Sequence, residues 1–262
     1  MSSVKASVKA VLARLGYMLH RLPPRAADSA YAIEFDFEYV LAHFLAQRTA
    51  STPPFFLQVG AYDGVSHDPF TAHIREGGWT GILVEPQPIA YERLVANYVD
   101  VDGLSFVNAA IAPEPGTRPL YVIQDEAGSV VESLGGTASF DRAHVEWLMS
   151  IDGPRYPGTR IGSIPVRCTT FQEILAETAS VDLLLIDAES YDFELLKLFD
   201  FERFRPAIVR FEHAHLSRAD WDEAVEMLAR HGYRTLREEY DTTAYVASRH
   251  SGGGSRRPSP GP

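Results

Sequence analysis

Phe55-Phe56-Leu57-Gln58-Val59-Gly60-Ala61-Tyr62-Asp63-Gly64 is the stretch on which the fold turns. Its first five residues, introduced by Pro53 and Pro54, form the short apolar run that a central parallel strand requires, because such a strand is buried on both faces. The run empties into a glycine turn. Asp68-Pro69 then offers an N-cap and a first helical residue, and Gly77-Gly78 closes the helix. Strand, glycine turn and helix in this order predict one βα unit of an open α/β sheet.

Working outward, Ile82-Leu83-Val84-Glu85 reads as the second strand, ended by Pro86 and Pro88 and followed by a helix with Tyr91, Leu94, Val95 and Tyr98 on one face. Residues 104–111 make a third strand. Residues 181–186 form a buried strand that delivers Asp187 and Glu189, with a helix from about Tyr191 to near Arg205-Pro206. The next strand, 207–211, delivers Glu212, His213 and His215. Ser217 to Asp220 resembles a capping box with Asp in place of Glu, opening a helix closed by Gly232, and residues 233–236 and 243–247 read as a terminal antiparallel hairpin. The expected fold is therefore α/β, Rossmann-like, with a mostly parallel sheet and a terminal antiparallel hairpin.

One domain over residues 30–248 accounts for this pattern, interrupted at 124–165 by a glycine- and proline-containing stretch with one helix near 140–150. A connection of that length reads as a lid or binding insertion. Residues 1–29 read as a basic amphipathic helical extension, with Lys5, Lys9, Arg14, Arg21 and Arg25 ahead of the first acid, Asp28. It packs on the domain or makes a weak membrane-surface contact. Residues 249–262 are rich in Gly, Ser and Pro and read as a flexible tail.

Composition narrows the function. The 262 residues carry 24 Lys+Arg against 35 Asp+Glu, a formal net charge of -11, which disfavours nucleic acid as the principal partner. A single cysteine, Cys168, permits neither an intramolecular disulfide nor a cysteine zinc site within one chain and suits a reducing, cytoplasmic setting. The sequence does not set the oligomeric state.

In an open α/β sheet, ligands bind outside the carboxyl ends of the strands at the switch point. The groups expected there are the Gly60 to Gly64 turn, Glu85, Asp187, Glu189, Glu212, His213 and His215. Glu85 lies at the distance beyond the turn at which an acid reaches ribose hydroxyls, so an adenosine-type cofactor follows. Tyr62 occupies the place where a pyrophosphate would need glycine. The mismatch favours S-adenosylmethionine, which has no phosphates, over NAD.

The runs FLQVGAYDG, GILVEPQP, NAAIAP, GTASFD, LLLIDAESYDFELLK and IVRFEH, in this order, resemble the FkbM family of S-adenosylmethionine-dependent methyltransferases. The resemblance implies a class I methyltransferase fold and methyl transfer, most often to a hydroxyl of a sugar, glycan or polyketide-type product. It implies a cofactor site at Gly60, Ala61, Gly64, Glu85, Ala110 and Asp187, with Asp187 the active-site acid, and Asp63 could serve as partner of the methionine ammonium. This chain departs from the family pattern at Gln58, Tyr62, Leu185 and Ser190, where Asp, Asn, Lys and Gly are usual. Methylation of a nitrogen, including a peptide side-chain amide, and a non-catalytic binding module retaining the fold stay open beside O-methylation.

Methyl transfer to a hydroxyl requires removal of a proton as the oxygen attacks. Asp187, His213 or His215 could take it, with Glu189 beside them, and Ser139 and Phe140 together with His215 are expected on the acceptor side. A divalent cation on Asp187, Glu189 and Glu212 or a histidine is the alternative to metal-free base catalysis, which is the favoured reading.

Overall fold

A computed structural model describes residues 19–20, 32–33, 36–48, 52–66, 68–152 and 155–246. Its helices are α1 (Phe37–Gln47), α2 (Thr71–Gly77), α3 (Pro88–Asn97), α4 (Arg142–Asp152), α5 (Phe171–Ile174), α6 (Asp192–Leu198) and α7 (Arg218–Arg230). The strands are β1 (Phe55–Val59), β2 (Thr80–Val84), β3 (Leu104–Val107), β4 (Ala110–Ile111), β5 (Gly116–Gln124), β6 (Arg160–Thr169), β7 (Leu183–Ile186), β8 (Ile208–Glu212), β9 (Tyr233–Arg237) and β10 (Asp241–Val246).

Seven of these strands form the main sheet in the order β9-β10-β8-β7-β1-β2-β3. Pairing is parallel from β3 through β8 and antiparallel on both sides of β10. The terminal hairpin therefore inserts one reversed strand between β8 and β9. Successive residues of the central strands point to opposite faces. Leu57, Val59, Val84, Leu184, Ile186, Val209 and Phe211 pack with Phe193, Leu196, Ala224 and Leu228 of α6 and α7. Phe56, Leu83, Leu183, Leu185 and Ile208 pack on the other side with Phe37, Leu41, Ile74 and Leu94 of α1, α2 and α3. Leu185, in the place of the family's lysine, is thus buried core.

Four sequence readings are corrected. Residues 104–111 are not one strand. The Asn108 side chain donates to the carbonyls of Glu85 (2.8 Å) and Pro86 (3.3 Å), and the chain leaves the main sheet there. It resumes as β4 in a second sheet ordered β4-β6-β5. The irregular stretch 124–165 is shorter than expected, because β6 starts at Arg160 and pairs with β5 from Gly116↔Cys168 to Gln124↔Arg160. Gly162 and Pro165 disguised that strand; Pro165 faces Pro119, beyond the reach of β4, whose pairing is limited to Cys168 and Thr169. The helix after β7 ends at Leu198, not near Pro206. Asp68 does not cap α2, which begins at Thr71 without a side-chain cap. Asp68 accepts instead from the Phe70 N–H and from Gln58 Nε2.

Ser217 does cap α7, accepting from the Asp220 N–H at 3.1 Å while its hydroxyl donates to the Asp220 carboxylate at 2.6 Å. Leu19–His20 pair with Ala32–Ile33 as a two-residue antiparallel ladder, so the expected N-terminal helix does not run through Leu19. The rest of that extension and the tail at 249–262 lie outside the described residues. No helix among the described residues is long and apolar enough to cross a membrane.

Candidate active site

A cavity of about 420 Å³ opens at the carboxyl ends of β1, β2 and β7, where the sheet order reverses about its first strand. Gly60, Glu85, Ala110 and Asp187 line it, as do Glu189 and Phe140. Leu120, Gly136 and Ala138 extend the wall that Phe140 begins, so the segment between β4 and β6 encloses one side. Arg118 sits 4.3 Å above the Phe140 ring, which meets Tyr191 edge-on at 5.5 Å.

The glycine turn works through the backbone. Gly60 has φ +81°, and a Cβ there would lie 1.7 Å from the Asp187 carbonyl oxygen, so only glycine lets β1 and β7 approach this closely. Tyr62 adopts φ +46°, the left-handed region that Asn tolerates better than Tyr. That turn aims the Tyr62 N–H at Glu85 Oε2 (2.9 Å), while Glu85 Oε1 accepts from the Gln87 N–H (2.8 Å). Burial pushes the Glu85 carboxyl up to about 7, against the lowering effect of these hydrogen bonds.

Three expected cofactor residues do not line the cavity. Ala61 is buried beneath the turn. Gly64 faces α3, where a Cβ would meet Leu94 and Tyr98 at 2.5 Å. Asp63 accepts from the N–H groups of Val65 and Ser66 and from the Ser66 hydroxyl, so it organises the turn rather than reaching the cavity.

Asp187 is open to the cavity on one side and surrounded by protein on the others. It does not cap the following helix. Asp192, fully buried, accepts from the N–H groups of Ala188 (3.3 Å) and Glu212 (3.2 Å) and so braces the ends of β7 and β8. Burial, reinforced by Glu212 and Glu189, pushes the Asp187 carboxyl up to about 8. The Asp192 carboxyl is also raised, first by burial and then by Asp187.

Glu189 reaches two histidines. Its Oε2 lies 3.0 Å from His144 Nε2 and 3.9 Å from His215 Nε2, and the latter nitrogen lies 3.3 Å from Glu212 Oε1. The Glu212 contact, ahead of the burial that opposes it, raises the His215 pKa. Ser139 is a strut: its hydroxyl donates to the Glu189 carbonyl (2.6 Å) and accepts from the Asp141 N–H (3.0 Å). His213 sits outside the cavity lining. Its Nε2 accepts from Arg237 Nε (2.9 Å) and its Nδ1 meets the Thr242 hydroxyl (3.1 Å), so the lone pair a base would use is occupied. Burial, then Arg237, lowers its pKa. Nothing in the sequence singles out His144, since a histidine on an amphipathic helix gives no local sign of a partner 45 residues away.

Among the described residues, two groups could hold a metal ion, His144-Glu189-His215 and Asp187-Glu189-Glu212, the ligand atoms of each lying within 4.8 Å of one another. Glu189 and Ser190 both have positive φ, +49° and +80°. Ser190 occupies the family's glycine position, so Ser190→Gly should relieve strain and raise stability by about 1 kcal/mol in denaturant unfolding. A loss of stability instead would mean that the Ser190 hydroxyl, 3.3 Å from that of Ser139, outweighs the strain.

The profile of the methyltransferase FkbM domain matches residues 58–235, more than half of the chain, and the chain belongs to that family. No curated protein matches it. Among solved structures it is similar to a methyltransferase FkbM from Methylobacillus flagellatus KT, with 13% identity over 76% of this chain and a TM-score of 0.46. The chain spans 44% of that protein's length. It is also similar to a precorrin-6y C5,15-methyltransferase from Geobacter metallireducens GS-15 (14% identity, 81% and 90% of the two chains, TM-score 0.40). A human methyltransferase 10 domain containing protein gives 12% identity over 94% and 96% of the two chains, with a TM-score of 0.44. Family membership carries the class I methyltransferase fold and implies S-adenosylmethionine as methyl donor.

Proposed function

We propose that this chain transfers a methyl group from S-adenosylmethionine to a hydroxyl of a sugar, glycan or polyketide-type acceptor. The observation that carries the reading is Asp187, a carboxylate without a hydrogen-bond partner among the described residues, facing the same cavity as Glu85. S-adenosylmethionine, when bound, supplies an electrophilic methyl group. The cavity fits such a ligand in volume and chemistry. Each Glu85 oxygen accepts one backbone N–H, the Gln87 side chain adds a third bond, and the carboxylate keeps a lone pair for a ribose hydroxyl. Ala109, Ala110, Ile111 and Leu120 offer an apolar slot for a base.

An attacking hydroxyl must lose its proton, and a carboxylate held near neutrality is matched to that task. Phe140 and the wall behind it shelter one side of the cavity. The acidity of the chain favours a small or glycan acceptor over nucleic acid. Calorimetric titration with S-adenosylhomocysteine, followed by mass spectrometry of hydroxylated and amine acceptors incubated with S-adenosylmethionine, tests the reading. Micromolar binding with mass gain on hydroxyl acceptors is expected. Gain on amines alone would move the chemistry to nitrogen, and absence of binding would leave a non-catalytic module.

A further inference from the structure

Three carboxyl groups, Asp187, Glu189 and Glu212, converge on the acceptor side of the cavity. Among the described residues, Glu189 and Glu212 form ion pairs with imidazoles alone, His144 and His215, and Asp187 forms none. Glu212 Oε2 is buried without a hydrogen-bond partner. The donors come from three separate elements: His144 from α4, Glu189 from the end of β7 and His215 from the end of β8. Each is held from behind. Asp192 braces the backbone on both sides of the β7–β8 gap, and Ser139 ties α4's entry to the Glu189 carbonyl. Glu189 meanwhile keeps a left-handed backbone, a cost that persists where a site fixes its side chain.

We propose that His144 Nε2, Glu189 Oε2 and His215 Nε2 bind a divalent transition-metal ion at the edge of the cavity. The three ligand atoms lie within 4.8 Å of one another, and the Glu189 oxygen is 3.0 and 3.9 Å from the two nitrogens. One ion with bonds of about 2.0–2.2 Å spreads its donors roughly 3 to 3.5 Å apart, so small side-chain shifts close the set. Two imidazoles with carboxylates suit zinc or its first-row neighbours, whereas magnesium prefers an all-oxygen shell. Because Glu189 and Asp187 also line the cavity, the ion would lie where an acceptor hydroxyl enters and would lower its pKa. That purpose rests on the methyl-transfer reading; the binding itself does not.

The test uses tag-free, full-length protein stripped of metal. Calorimetry should show about one equivalent of Zn²⁺ bound, with a higher unfolding midpoint, and neither effect with Mg²⁺. His144→Ala and His215→Ala should each weaken zinc at least about tenfold, while His231→Ala, far from the cluster, should not. Co²⁺ loaded into wild type should give a visible spectrum of nitrogen ligation, which settles the matter if a variant fails to fold. No stoichiometric zinc, equal affinity in all the proteins, or a Co²⁺ spectrum like that of the hydrated ion would each overturn the site. S-adenosylhomocysteine binding, titrated separately without metal, keeps the two readings apart: it survives failure of the metal site, and zinc binding survives failure of the methyl-transfer assignment.

Discussion

Asp187→Asn should slow single-turnover methyl transfer by about a hundredfold or more while S-adenosylhomocysteine binds within about twofold of wild type. The substitution is nearly isosteric and removes only the capacity to take a proton. The fold should tolerate it, because the Asp187 side chain caps nothing. The strand end is fixed instead by the Asp187 N–H to the Val59 carbonyl (2.9 Å), and the start of the helix by Asp192. Removing one of three converging carboxylates also relieves the repulsion that, after burial, raises this group's pKa. Stability should therefore hold or rise, separating a lost base from a lost fold. Transfer by the Asn variant at a wild-type rate would refute the role, and a large loss of cofactor affinity would reassign Asp187 to binding.

The parallel core was legible because its strands are short apolar runs closed by Gly or Pro, and both signals are local. Phe55–Val59 and Thr80–Val84 are buried along nearly their whole length, the pattern that a strand covered on both faces must show. β6 was not legible, since a strand in a small, partly exposed sheet need not be uniformly apolar and its Gly162 and Pro165 imitate a loop. Glu85 and Asp187 could be picked out because strand ends converge by topology. His213 could not be told from His215 by sequence. Both follow β8, but the first turns toward Arg237 and Thr242 of the hairpin and the second toward Glu212 and Glu189. His144 depends on how α4 docks, a contact that no periodicity encodes. The strained turns were legible only as departures: Tyr62 and Ser190 keep the left-handed backbone that their positions demand although neither residue favours it.

Glu85→Ala should weaken S-adenosylhomocysteine by about 3 kcal/mol, roughly 150-fold, if its two oxygens are the acceptors for the ribose hydroxyls. The variant will also be less stable, since the Tyr62 and Gln87 N–H groups lose their acceptor. The pH dependence of the wild-type protein supplies an independent readout. Burial raises the Glu85 carboxyl from 4.5 to about 7, so between those values the folded chain holds a proton that the unfolded chain has released. Its contribution to stability is therefore complete below pH 4.5 and is lost as the pH rises through about 7, a change on the order of 3 kcal/mol. A ligand that donates two hydroxyls to the carboxylate favours the charged form. Affinity should accordingly fall by up to about tenfold per unit as the pH drops below 7, and the gain in unfolding midpoint on adding ligand should be larger at pH 8 than at pH 6. Affinity that is flat across this range and unchanged in Glu85→Ala would take Glu85 out of the site and leave its burial without a ligand to answer for it.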